Sequence, residues 1–412
     1  MNQWAANVRK FYYFKFFTIF NIINPILIYY MLEKGLTVGD IFLLSAIQRI
    51  FGIIIEVPTG ALSDLKGHKY NLMLGTLSFS VSCLIFTFSS TFMGFLVAEV
   101  FMAMAGAFIS GADTAFVYES LEMYNAESTY EKVYGRMRSL QFGVTAVAIF
   151  IAGFLAEIAW ELPFYIAIVF ALIAFAISCT FVEPVKKRDE DLFSSKERYC
   201  QYYLTIRDAC KISFKNVELR WFLVFASLLS VGLRTVEDFY QVYMKEGLDS
   251  PVSHSGIIYA LLFICSSIFS NYTSVGIKKL GYERMFYLLP GLGLITAFGM
   301  ILFKHQLTFL LFFLPYISLG YTPVLVSGYL HKRTSPGQRA TILSLRQMMR
   351  KVIYAIASPL LGWSCDLWGM EVALLMAATI LIITMVLPVV YKQKYNLNYE
   401  YSGSDVKITT IR

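Results

Sequence analysis

The chain has 412 residues, of which 57% are hydrophobic and only 15% charged, and its mean hydropathy is +0.59. Soluble globular chains run at about 45–50% apolar and about 25% charged, so this composition excludes an ordinary soluble domain and makes lipid the main solvent. The net charge of +7 does not read as nucleic-acid binding, because Lys and Arg sit between apolar runs rather than on one basic patch.

A spanning helix needs about 20 mainly apolar residues. Twelve stretches reach that length, over 11–32, 40–61, 70–90, 92–117, 138–159, 163–182, 219–243, 254–275, 284–303, 306–329, 341–364 and 371–391. The first runs from Phe14 to Tyr30 without a small-residue cleavage site, so it reads as a helix rather than a signal peptide. Between the sixth and seventh lies one long polar segment, 185–218, which opens on Lys186-Lys187-Arg188. The expected organisation is therefore a six-helix bundle over 1–184, a cytoplasmic linker over 185–218, and a second six-helix bundle over 219–412 with a short tail.

Orientation follows from the basic residues. With the amino terminus inside, cytoplasmic segments hold 26 of the 35 Lys and Arg, the opposite loops hold Lys34, Lys245 and Lys304, and six fall inside predicted helices. That asymmetry fits the positive-inside rule and places both termini in the cytoplasm. The halves also echo each other. Gly60-Ala-Leu-Ser-Asp64-Leu-Lys-Gly67 follows the second helix, and Ser274-Val-Gly-Ile-Lys-Lys-Leu-Gly281 follows the eighth, with the second glycine at the same offset. Internal repeats of this kind put a transporter's substrate site near the midplane between them.

The run Glu56-Val-Pro-Thr-Gly60-Ala-Leu62-Ser-Asp64-Leu-Lys66-Gly67-His-Lys69 resembles the signature loop between helices two and three of the major facilitator superfamily. Gly60, Asp64, Gly67 and Lys69 match that pattern, while Leu65 and His68 stand where it has basic residues. The resemblance implies an all-α membrane protein with the MFS fold: twelve transmembrane helices in two pseudo-symmetric six-helix bundles, both termini cytoplasmic. It also implies a latch, in which glycines allow close approach and Asp64 accepts from the amino terminus of helix eleven. Drug-antiporter members carry an Arg in helix four and a Gly-Pro motif in helix five, and both are missing here. The segments Glu56-Val-Pro-Thr-Gly60 and Gly111-Ala-Asp113-Thr-Ala-Phe-Val-Tyr118-Glu119-Ser-Leu look most like those of bacterial efflux-type members.

Charges inside helices carry the chemistry, since each costs about 2.5–3.5 kcal/mol at the bilayer centre and so faces a cavity or a partner. Arg49 and Glu56 share a face of helix two, and Glu99 and Asp113 a face of helix four. Arg234 stands three and four residues before Glu237 and Asp238, the spacing of a local ion pair. Helix eleven carries Arg346, Arg350 and Lys351. The family layout makes Glu99, Asp113, Arg234, Glu237 and Asp238, with Asn21 and Asn24 beside Pro25, the proton and substrate pathway. Arg49, Glu56, Arg346 and Arg350 become interface charges, of which Arg49 and Arg350 need acidic partners. Tyr118, Phe239, Tyr240, Tyr316 and Tyr321 are cavity-side aromatics, and Glu119 is expected to pair with a base of the following loop. The four histidines lie near loops and form no relay.

Six cysteines without a CxxC spacing read as structural thiols, and no metal or cofactor site is expected. The absence of a nucleotide-binding loop, HExxH and GxSxG argues against an enzyme. The expected function is secondary active transport of a small organic solute across the cytoplasmic (inner) membrane, by a multi-pass protein acting as a monomer. Proton-coupled export of amphipathic compounds stands against uptake of an amino acid, sugar or organic acid, and against a non-transporting receptor.

Overall fold

A computed structural model describes residues 3–18, 22–184, 216–303, 305–334 and 336–395, and among them all regular structure is helical. Asn21 and nearly all of the 185–218 linker lie outside the described residues. The helices are α1 (Gln3–Thr18), α2 (Leu27–Glu33), α3 (Val38–Lys66), α4 (His68–Phe88), α5 (Phe92–Ile109), α6 (Ala112–Glu122), α7 (Tyr130–Ile158) and α8 (Leu162–Cys179). After the linker come α9 (Val217–Val242), α10 (Val252–Asn271), α11 (Thr273–Leu302), α12 (Phe313–Arg333), α13 (Pro336–Trp368) and α14 (Met370–Tyr395).

Local chemistry sets many of the boundaries. Thr37 and Asp40 form a reciprocal capping box that starts α3, and the Asn216 side chain accepts from the Glu218 and Leu219 amides to start α9. Each cap satisfies amides that a helix start leaves without a partner. Two predicted helices are broken. Helix one is interrupted over 22–26, around Pro25, and helix four divides at Gly111, whose φ is +81°. A side chain resists that backbone and glycine does not.

Among the described residues, nine helical stretches are long and apolar enough to cross a membrane. The predicted spans outside that set are 11–32, which is broken; 138–159, whose apolar part is only Gly143–Ile158; and 341–364, interrupted by Arg346, Arg350 and Lys351.

The repeat read from the sequence has a structural counterpart. Gly67, between α3 and α4, has φ 92° and ψ 165°. Gly281, at a kink inside α11, has φ 77° and ψ 166°. The same left-handed turn thus recurs at the matched position of each half.

α4 packs on α5 and α8, and α3 on α5; in the second half α14 packs on α9 and α11, and α10 on α12. The first-half and second-half helices meet mainly where α3 crosses α13 and α7 crosses α10. Both crossings use one device. On α13, Gly362 lies so close to α3 that a Cβ there would sit 2.8 Å from the Gly39 Cα, and Asp366 accepts from the amides of Val38 at 3.1 Å and Gly39 at 2.9 Å. On α7, a Cβ at Gly153 would sit 2.7 Å from the Val252 carbonyl oxygen, and Glu157 accepts from the Ser253 amide at 3.2 Å. In each case a Gly-x-x-x-acid unit, Gly153 to Glu157 and Gly362 to Asp366, docks on a helix start from the other half. The acid neutralises unpaired amides and the positive end of the helix dipole.

More polar contacts join the halves at this same end, which is the one poor in Lys and Arg. The Gln241 amide group donates to the Asn24 carbonyl and accepts from the Ile28 amide. Tyr29 and Ser255 are 2.7 Å apart, and Lys245 pairs with Glu33 at 3.0 Å.

Candidate functional site

Behind this seal lies a cavity of about 840 Å³. Its first-half wall includes Asn24, Gln48, Arg49 and Glu99, and its second-half wall Arg234, Glu237, Gln241 and Tyr354. Farther toward the basic-rich end, Lys15, Glu56, Asp113 and Lys351 line it.

The second-half wall is organised around α9. Arg234 donates through Nη1 to Glu237 at 3.0 Å, and its Nε lies 3.0 Å from Asp238. The Asp238 contact is one of charge, because the Arg234 Nε lacks the geometry of a hydrogen bond. The second oxygen of Glu237 accepts from the hydroxyls of Tyr259 at 3.1 Å and Tyr316 at 2.9 Å. The second oxygen of Asp238 accepts from Tyr354 at 2.6 Å. Both carboxylates are therefore engaged at each oxygen by groups of their own half. Arg234 keeps 42% of its side chain accessible, because its outer edge faces the cavity.

The first-half wall is less complete. Glu99 on α5 is 3% exposed and accepts from the Gln48 amide at 2.6 Å; the Arg49 charge acts on it from the next position on α3. Arg49 was expected to have an acidic partner. Its guanidinium instead lies 4.0 Å from the centroid of the Tyr354 ring, a cation–π contact across the two halves, and its Nε is buried without a hydrogen-bond partner. Tyr354 thus touches Arg49 through its ring and Asp238 through its hydroxyl.

Two ion pairs hold the basic-rich end of the cavity. Asp113, at the start of α6, bonds to Lys15 of α1 at 2.5 Å, with both side chains largely buried. Glu56 bonds to Lys351 across the halves at 2.7 Å, with 46% and 26% of the side chains accessible.

Other predicted residues fall elsewhere. Arg346 and Arg350 do not line the cavity. Arg346 is buried and donates to Ser230 of its own half, and Arg350 lies in the field of Arg49, Arg234 and Arg346, all of like charge, with no acid at ion-pair distance among the described residues. In the loop motif, Gly67 makes the expected turn, but among the described residues no other helix comes within 4 Å of where a Gly60 Cβ would sit. The Asp64 side chain lies outside the described residues. The amides of His68 and Lys69 are capped by Glu183, at 2.7 and 2.8 Å. Glu119 contacts His68 of α4 at 3.3 Å. Of the aromatics, Tyr316 lines the cavity, whereas Phe239 packs on Phe42 and Tyr118 is exposed. Sequence reasoning passed over Lys15, Gln48, Gln241, Tyr259 and Tyr354 as site residues. Only Lys15, a base inside an apolar run, carried a local signal.

A family model of the Major Facilitator Superfamily matches residues 11–353. The Quinolone resistance protein NorA of Staphylococcus aureus is 27% identical over 237 residues, covering 57% of this chain and 58% of that protein. An uncharacterized MFS-type transporter of Methanocaldococcus jannaschii is 27% identical over 188 residues, 45% of this chain and 48% of that one. The chain thus matches about three fifths or less of the length of these relatives. Among solved structures, the nucleoside transporter NupG has a TM-score of 0.77 at 14% identity, covering 97% of this chain and 100% of its own. A bacterial homolog of the human lysosomal transporter Spinster, inward-facing and occupied, has a TM-score of 0.71 at 13% identity, with 98% and 99% covered. These two likenesses establish the shared fold.

Proposed function

Because the chain belongs to the major facilitator superfamily, we propose that it is a secondary active transporter that exports small amphipathic compounds in exchange for protons. It works in the cytoplasmic membrane as a monomer, with twelve spans and both termini inside. Residues 1–184 and 219–412 rock against each other, and 185–218 joins them. The sealed end is then the outer end, and the conformation is inward-facing.

One observation carries this reading. A cavity between the halves is sealed at the basic-poor end and holds a carboxylate, Glu99, that no arginine or lysine neutralises at ion-pair distance among the described residues. Proton exchange needs an acid that water and cargo reach from one side at a time, and a buried carboxylate on a cavity wall meets that need. Glu99 is the proton carrier in this scheme, and Arg234, Glu237 and Asp238 with their tyrosines shape the opposite wall. Export is favoured over uptake by the likeness to a protein named for quinolone resistance.

Everted membrane vesicles with an imposed pH gradient test the reading. Addition of an exported amphipathic compound should dissipate the gradient, and Glu99→Gln should abolish that response. A compound-dependent response of normal size in the variant would remove Glu99 from the mechanism. Uptake of a nutrient into right-side-out cells, without any compound resistance, would reverse the direction.

A further inference from the structure

The left-handed turn that recurs in the two halves has different neighbours in each. At Gly67 the Glu183 carboxylate accepts from the amides of His68 and Lys69. At Gly281 the turn borders a concavity of about 460 Å³, lined by Lys279, Leu280, Glu283, Arg284 and Tyr287. Basic side chains crowd this place. Lys278, Lys279 and Arg284 are exposed on α11, and Lys392 and Lys394 are exposed at the end of α14. Glu283 is the one acid of α11, and Lys392 bonds to it. Among the described residues, Lys278, Lys279 and Arg284 enter no ion pair.

The same turn meets the bilayer. Leu280 and Leu288 keep 38% and 41% of their surface exposed, and both belong to Thr273–Leu302, a stretch long and apolar enough to span a membrane. The turn lies at the basic-rich end of the molecule, the cytoplasmic one in the orientation proposed above. Like charges gathered at one turn repel each other, and an anion placed among them relieves the repulsion. Basic pockets beside spans on the cytoplasmic side are where acidic lipid headgroups settle. A phosphate suits both kinds of base here, since the arginine fork binds it through two parallel bonds and lysine as a point charge.

We propose that the Gly281 concavity binds the phosphate headgroup of an anionic phospholipid, with Lys279 and Arg284 on the phosphate and the acyl chains running past Leu280 and Leu288. The occupant is a lipid rather than free phosphate because uncompensated charge and exposed apolar surface stand side by side at one turn. The first half offers no equivalent, since at its matched turn the Glu183 carboxylate already stands. No residue of α11 lines the cavity between the halves, so the lipid site is independent of the transport reading.

Two lipids with the same acyl chains test it: dioleoylphosphatidylglycerol and dioleoylphosphatidylcholine, each titrated into the purified, delipidated full chain in detergent, with bound lipid counted by native mass spectrometry. Phosphatidylglycerol should bind roughly twentyfold tighter or more, about fivefold for each of the two charges that meet the phosphate. Lys279→Gln with Arg284→Gln should erase that margin, while Lys279→Arg with Arg284→Lys, which keeps both charges and guards against misfolding, should retain most of it. Lys132→Gln with Arg136→Gln, an exposed basic pair of the first half, should leave it intact. Equal binding of the two lipids would overturn the site, and so would an equal loss in the first-half control, since any basic surface would then serve. Inorganic phosphate that displaces phosphatidylglycerol at equal concentration would overturn it as well, by reducing the contact to bare charge. A margin that appears only after residues 396–412 are deleted would give the concavity to the chain's own tail, and overturn the lipid equally.

Discussion

Asp113 and Glu99 both stand on predicted helix four, yet their surroundings give them different work. Asp113 is committed to Lys15 in a short, largely buried pair. Removing one member of a buried pair strands the other charge, at about 3–5 kcal/mol when burial is complete. Asp113→Asn should therefore lower the Tm and the folded yield, and Lys15→Met with Asp113→Asn should restore both in a thermal-unfolding assay. Coupled transport recovered in that double variant would place Asp113 in the framework; coupling still absent in a stable double variant would return it to the proton path. Glu99→Gln should behave in the opposite manner. It keeps the contact with Gln48, so stability holds, while gradient-driven flux falls and energy-independent counterflow continues. The ionisable positions were legible from sequence because charge in an apolar run is costly and stands out. Their partners were not: Lys15 and Asp113 are 98 positions apart, and Tyr354 is one of 27 tyrosines until the fold sets Arg49 upon it.

At the level of the helix, the two Gly-x-x-x-acid units seal one end of the cavity. A carboxylate cap is worth about 1 kcal/mol, so Glu157→Gln with Asp366→Asn should weaken the seal by about 2 kcal/mol, a factor of roughly 30 in the closed-to-open ratio. Labelling of a cysteine substituted at Tyr29, which is buried at the seam, by an impermeant maleimide reads that ratio; unchanged labelling in the double variant would dismiss the caps as ornaments of the closed state. Gly362→Ala should open the same end more strongly, because the new methyl would lie 2.8 Å from a backbone carbon that has no room to yield. The repeated spacing is visible in the sequence, but its meaning is not, since the helix start that each acid caps belongs to the other half. Turn positions fared better: Gly67 and Gly281 were matched by offset alone, because a left-handed turn selects glycine wherever it occurs. Breaks near Pro25 and at Gly111 were harder to read, as the apolar runs continue straight across them.

For the whole molecule, the composition fixed lipid as the solvent, and the family resemblance supplied the arrangement of helices. Hydropathy alone finds nine stretches among the described residues rather than twelve, and two of the three exceptions, helices one and eleven, are where breaks and charges serve the cavity. Joining the halves at the opposite end is the Glu56–Lys351 bridge. It is partly exposed and so contributes about 0.2–1 kcal/mol. Lys351→Met should thus shift the conformational balance by no more than about fivefold, with the Glu56→Lys, Lys351→Glu exchange restoring it in the same labelling assay. A larger shift would mean that the bridge, not the seal, governs the state.

Helix α13 joins these scales. Arg346, Arg350, Tyr354, Ser358, Gly362 and Asp366 follow one another at intervals of four, and the last three dock on α3. From Arg350 to Asp366 is about 24 Å of one continuous helix at 1.5 Å per residue. Tyr354, the member of this row that lines the cavity, therefore stands on the same rod that plugs the far exit. In the transport scheme proposed above, one piece of backbone then both meets the solute and keeps the far door, with no relay between them, and a solute too small to shift that rod would sit in the chamber without being let out.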